Sequence, residues 1–372
     1  PASPRLSLYI KGTNLPVQQT GGFALAAAGE MPPVRNITDI VRDGTVPDIT
    51  FESWGDTFEE LGAIKNIEIK GGLEQGGIHI PGLGLDFTAV QGAFTVSKGI
   101  LQGTGIEGRL GKSTLRQASL KLGVTGDDGP FHLETVAKAD PQEALDLLRQ
   151  LVKDKPLLQE LHRIQSVSGA MLGRLALGGT LASVEPRVSV SEMNLSARYD
   201  RIPFPVTIGR GSFVYDQEQI TVKDLTGTVG QSAFSGMDAR MDRGPEPRLA
   251  VRSGTLFLHA AEMHGWLASL KPVRTPLGEI ASAGGSITLS SLSVNGPAQS
   301  PEAWTVSAAG SSNSLTVSSP DLPEALSLSC RSFSYDPERI SVKGLSATMG
   351  HSSVAGLEAH LDPGTSPHLE IR

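Results

Sequence analysis

"SFVYDQEQITVKDLTGTVGQSAFSGMDARMDRGPEPRLAVR", residues 212–252, returns as "SFSYDPERISVKGLSATMGHSSVAGLEAHLDPGTSPHLEIR" at 332–372. The two stretches align without a gap at an offset of 120, and 19 of 41 positions are identical. Self-similarity at a fixed period marks an internal duplication, in which stacked supersecondary units support one another's cores. Within it, Ile220 and Val222, then Leu225, Gly227 and Val229, alternate with polar neighbours. Ile340 and Val342, then Leu345, Ala347 and Met349, do the same. Period two gives a strand with one apolar face and one wet face. The phase slips once in each copy, at Lys223-Asp224 and Lys343-Gly344, which reads as a β-bulge or tight turn.

Working outward, a fainter third copy lies upstream. A shift of 119 places Gly92, Phe94, Gly108, Gly111 and Ser113 on Gly211, Phe213, Gly227, Gly230 and Ser232. "PRLSLYIKGTNL" at 4–15 resembles the closing part of a repeat, "PRLAVRSGTLFL" at 247–258, and "PHLEIR" at 367–372 is the start of that same part. A piece of a longer array is therefore expected. Alternating strands precede each repeat at 64–73, 187–199 and 285–294. Two segments break the β pattern. "DPQEALDLLRQLVKDKPLLQELHRI", 140–164, carries leucines at helical spacing, with Asp140 as N-cap and Pro156 as a kink or break. "AAEMHGWLASL", 260–270, reads as a shorter helix, and a further one is expected within 53–64. The predicted fold is mainly β with a few helices. It is an elongated, curled antiparallel sheet of repeats of about 120 residues, each closed by a helix or helical hairpin. The division reads 1–63 as the tail of a preceding repeat plus a connecting helix, 64–170 as repeat 1, 171–275 as repeat 2 and 276–372 as a truncated repeat 3.

Composition fits this. Forty-three glycines and 24 prolines in 372 residues favour many short strands, and aromatics at 5% leave an aliphatic core. A formal charge of -7 and the lack of any basic run argue against nucleic acid as a partner. Cys330 is the only cysteine, so no intrachain disulfide or thiolate cage can form, and its place in "LSLSCRSFSY" reads as a small buried hydrophobe. No apolar run reaches the roughly 18 residues of a membrane span, and the chain opens on Pro1 without a signal peptide, so an anchor or signal is expected outside it.

"GIEGRLGKST", 105–114, ends in the letters of a nucleotide-binding loop. Such a loop needs glycine five places before Gly111, and that residue is Ile106. The equivalent places read Gly230-Gln231-Ser232 and Gly350-His351-Ser352, so the lysine is not kept. A Gly-x-Ser hairpin between two strands is the better reading. His259 and His264 flank Glu262, but a spacing of five sets them on different helical faces and no H-E-x-x-H is present. Neither a nucleophile elbow nor a convergent carboxylate pair occurs, so no enzyme, cofactor or metal site is expected.

An apolar strand, a Gly-x-Ser hairpin ("VGQSAFSG", "MGHSSVAG"), a Pro-x-Leu strand and a helix entered through "HAAEMHGWL" follow one another in the repeat. Together they resemble the AsmA-like family of bacterial envelope proteins, the group to which TamB and YhdP are related. The resemblance covers about 64–372 and is best in 187–372. It implies a curled β-sheet with a hydrophobic interior, anchored in the inner membrane and projecting into the periplasm. Its members are thought to conduct phospholipids between membranes or otherwise support outer-membrane biogenesis, and there are no catalytic residues to carry over. The expectation is thus a non-enzymatic periplasmic segment offering a hydrophobic groove to phospholipid acyl chains. The inner membrane would be reached through an absent anchor, with outer-membrane or periplasmic proteins as further partners. The groove candidates are Ile220, Val222, Leu225, Val229, Ile340, Val342, Leu345 and Met349. The rival expectation is a scaffold whose sheet is fully covered and acts through protein contacts at its edges.

Overall fold

The computed structural model describes residues 6–19, 39–80, 83–124, 129–252, 254–269, 280–300, 303–362 and 368–372. The chain is mainly β, with twenty strands of antiparallel sheet. In order they are β1 (Leu6–Pro16), β2 (Val41–Gly55), β3 (Ile67–Ile80), β4 (Leu85–Ser97), β5 (Ile100–Leu110), β6 (Ser113–Gly123) and β7 (Phe131–Ala139). There follow β8 (Ile164–Gly179), β9 (Val184–Tyr199), β10 (Ile202–Tyr215), β11 (Gln219–Val229), β12 (Ser232–Asp242), β13 (Arg248–Arg252) and β14 (Thr255–His259). The last six are β15 (Ser282–Pro297), β16 (Thr305–Ser318), β17 (Leu326–Tyr335), β18 (Ile340–Met349), β19 (Ser352–Asp362) and β20 (His368–Ile371). Each pairs with its neighbours in chain order, except that β13 and β14 together fill one strand's place between β12 and β15.

Four helices matter below: α1 (Phe58–Leu61), α2 (Pro141–Leu151), α3 (Lys155–Arg163) and α4 (Ala260–Ser269). The segment 140–164, expected to be helical, forms the two helices α2 and α3. Asp140 caps α2 by accepting from the amides of Gln142 and Glu143. The break falls before Pro156, at Val152–Asp154, and Asp154 caps α3 through the Leu157 amide at 2.9 Å. Proline is tolerated in a first turn, where its missing N–H has no intrahelical partner to lose. The helix expected within 53–64 is only the single turn α1, followed by a 3-10 turn at Ile64–Asn66. Ser53 instead pairs with Leu8 and Ile67 in the sheet, because ladder hydrogen bonds on both sides outweigh local propensity.

The bulges fall where the alternation slips. The pairing of β11 with β12 shifts between Val222 and Leu225, where Asp224 has φ 51°. That of β18 with β19 shifts between Lys343 and Leu345, where Gly344 has φ 63°. Registers also coincide at an offset of 120: Ile220 faces Tyr215 and Met241, and Ile340 faces Tyr335 and Leu361.

The chain divides into two compact units, residues 1–153 with 170–189, and 154–169 with 190–372. The first holds a closed, mainly aliphatic core in which Ile80, Leu122, Val124, Phe131 and Leu177 are at most 2% exposed. In the second, the buried hydrophobic residues among those described are Val190, Met193, Tyr215, Ala260 and Met263. The remaining apolar residues of its sheet are half-covered or, as at Phe257 and Val354, exposed. Cys330, expected to be buried, is half-buried on β17 opposite Ser312.

Candidate functional site

Residues directly opposite one another in an antiparallel pair project to the same face of the sheet. Tracing these pairs through the second unit gives one row from Phe213 through Val222, Ala239, Val251 and Val294 to Val306. Leu292, two residues from Val294 and so on the same face, starts another. It runs through Ala308, Tyr335, Ile340 and Leu361 to Leu369. Beside it lies a third, Gly310, Phe333, Val342, Ala359 and Ile371. One face of this unit is therefore apolar from β10 to β20.

All eight groove candidates are half-buried. Ile220 and Val222 lie in the rows of Tyr215 and Phe213, Leu225 faces Met237, and Val229 faces Val206. Ile340 and Val342 occupy the second and third rows, Leu345 faces Leu357, and Met349 faces Ser352 at the hairpin end. The same register position in the first unit is Leu101, only 6% exposed. Nearer the end of the chain the face opens further, with Tyr335 at 41%, Leu369 at 58% and Ile371 at 59%. An open depression of about 370 Å³ is lined by the polar and charged residues Gln219, Thr221, Lys223, Asp238, Arg240 and Arg252 together with Val222, Ala239 and Ala250.

The three Gly-x-Ser segments are two-residue hairpins. Leu110 pairs with Ser113, Val229 with Ser232 and Met349 with Ser352, and the intervening glycines have φ 56°, 58° and 56°. A positive φ at the first turn residue alone is the type II′ pattern, which calls for glycine. The sequence did not disclose that each hairpin faces a carboxylate. Glu143 of α2 accepts from the Lys112 amide at 2.7 Å, the Ser113 amide at 3.1 Å and the Ser113 hydroxyl at 2.7 Å. Glu262 of α4 accepts from the Gln231 amide at 2.7 Å. Glu324 lies beside Gly350. The serines complete the link, since Ser113 accepts from the Asp140 amide and Ser232 from the His259 amide, each at 3.0 Å. The only sequence signal was the equal interval of 31 residues from Lys112 to Glu143 and from Gln231 to Glu262.

Helix α3 also makes contacts that the sequence left unmarked. Glu160 accepts from the Tyr199 hydroxyl and from Arg201. Burial first, and then the Glu160 carboxylate, push the Tyr199 phenol up to about 12. Arg243 lies over the Tyr215 ring at 5.0 Å, donates to the Asp216 carbonyl at 2.9 Å and approaches Asp154 at 3.9 Å. Burial raises the Tyr215 phenol as well. Among the described residues no group of three or more His, Cys, Asp or Glu could hold a metal ion, and Glu262, between the two histidines, is bound to its hairpin. No helix of the described residues is long and apolar enough to cross a membrane. No family model, curated protein or solved structure matches the chain.

Proposed function

We propose that the second unit is a lipid-handling surface, whose half-covered apolar face receives the acyl chains of phospholipids. The observation that carries this reading is the contrast at one register position. Leu101 is buried in a closed core, whereas Ile220 and Ile340 remain half-exposed within rows that run from strand to strand. A contiguous apolar surface of this kind needs something to shield it from water. Aliphatic walls with few polar groups suit a hydrocarbon chain. Burial contributes about 0.8 kcal/mol per methylene without directional demands, so a chain can slide without being trapped at one place. The repeat's resemblance to AsmA-like proteins supports the same reading. With it come the further proposals of a periplasmic setting, an inner-membrane anchor outside this sequence, a role in outer-membrane biogenesis and non-enzymatic action.

Lipid extraction and mass spectrometry of the purified 372-residue chain test this. Phospholipid co-purifying in about stoichiometric amount is expected, and its loss in Val342→Asp, which sets a carboxylate on the half-covered face, is part of the expectation. Phospholipid absent from the wild-type chain, even after incubation with phospholipid vesicles, would sink the proposal and favour a scaffold acting through protein contacts.

A further inference from the structure

Helix α3 is attached to the second unit by polar contacts near its two ends. Its C-terminal end runs directly into β8, where the Asp200 amide donates to the Arg163 carbonyl at 3.0 Å. There Glu160 takes hydrogen bonds from Tyr199 and Arg201, at the turn that leads into β10. Its N-terminal end reaches the opposite end of β10. Asp154 faces Arg243, whose guanidinium covers Tyr215, the last residue of that strand. Tyr215 shares the apolar face with Ile220, its direct partner, so this end of the helix sits over the candidate groove. Coverage here is local. Tyr215 is 4% exposed, but Tyr335, at the same register position 120 residues on, is 41% exposed. Between its two attachments α3 buries no residue completely, and its leucines Leu157, Leu158 and Leu161 stay half-exposed. A helix integral to a core would bury such a stripe.

We propose that α3 is a strap across the groove, held shut by Asp154–Arg243 at one end and Glu160–Tyr199–Arg201 at the other. This rests on the acyl-chain reading above and gives that site its regulation. The closed strap holds Arg243 over Tyr215 on the apolar face, and release of the polar tethers frees that part for a hydrocarbon chain. The Asp154–Arg243 pair is long at 3.9 Å and the Glu160–Arg201 pair is partly exposed, so each tether is weak and opens readily.

The test uses the 372-residue chain and cis-parinaric acid, whose fluorescence rises in an apolar site. Asp154→Asn with Glu160→Gln keeps the helix cap and removes both charges. This variant is expected to take up the probe about fivefold faster than wild type, as two weak ion pairs allow. Amide hydrogen exchange over 155–163 should accelerate with it. Glu160→Cys with Arg201→Cys, joined by a short bismaleimide in a Cys330→Ser background, should slow uptake below the unjoined form. Arg339→Ala breaks an exposed ion pair, to Asp362, far along the chain from α3, and should leave the rate unchanged. Equal uptake by wild-type, released and crosslinked chains would overturn the strap and leave the groove standing. No uptake by any form would overturn the groove, and the strap's role with it.

Discussion

At Gly230 the backbone has φ 58°, and a Cβ built there would stand 2.2 Å from a Glu262 carboxylate oxygen. Two constraints therefore meet at one atom: the left-handed turn and the close approach of an anion. Gly230→Ala is expected to lower local stability by about 1–3 kcal/mol, since the strain is not relieved by moving either neighbour alone. Glu262→Gln keeps the shape but loses the charge that strengthens the hydrogen bond from Gln231, at a cost of about 1 kcal/mol. Hydrogen exchange in β12 and α4 reads both, and Gly230→Ala should be the more severe. Equal protection in wild type and both variants would contradict the account. The turn was legible in the sequence because glycine and serine recur while the residue between them drifts. The anion was not, because it arrives from a helix 31 residues downstream. Amides exposed at a tight glycine turn attract negative charge whatever its source. The resemblance of Gly111-Lys112-Ser113 to a phosphate loop was thus misleading about nucleotides, yet the Lys112 and Ser113 amides do hold a carboxylate, that of Glu143.

Among the elements, α3 shows where pattern reading stops. Its leucine spacing could be read from 140–164, but the cap named there, Asp140, belongs to α2, and the break was placed at Pro156, which lies inside the first turn of α3 behind its cap Asp154. Its partners Tyr199, Arg201 and Arg243 come from other strands and carried no local mark. A short helix whose tethers are polar and non-local is invisible to periodicity. The α1 region fails for the complementary reason, since a helical-looking run was claimed by sheet pairing on both sides. Tyr199 supplies a pH test of the α3 contact. Its phenol is held near 12 in the folded chain against an ordinary value near 10. The folded state therefore keeps this proton more tightly than the unfolded state. The stability it contributes is fully present below pH 10 and fades as pH rises from about 10 through 12. Absorbance titration of the chain's four tyrosines should show a late-titrating phenol that disappears in Tyr199→Phe. A titration unchanged by that substitution would contradict the buried placement of Tyr199 beside Glu160.

At the scale of the molecule, the two compact units put similar strand patterns to different uses. In the first, alternating residues such as Leu101, Leu115 and Leu120 close into a core. In the second, Val222 and Val342 line rows that stay half-covered. The strand pattern, the bulges and the matching registers were legible because period two and turn chemistry act locally. Which face closes was not, since Leu101 and Ile220 read alike in sequence and differ only in what packs above them. The central claim is that the second unit's apolar face takes acyl chains. Its most direct test places a photoreactive amino acid in turn at 222 and 342 on that face, and at 221 and 341 on the polar face, with phospholipid vesicles present. The account predicts lipid adducts at 222 and 342 and none above background at 221 and 341. Adducts equal on both faces, or absent from all four positions, would contradict it.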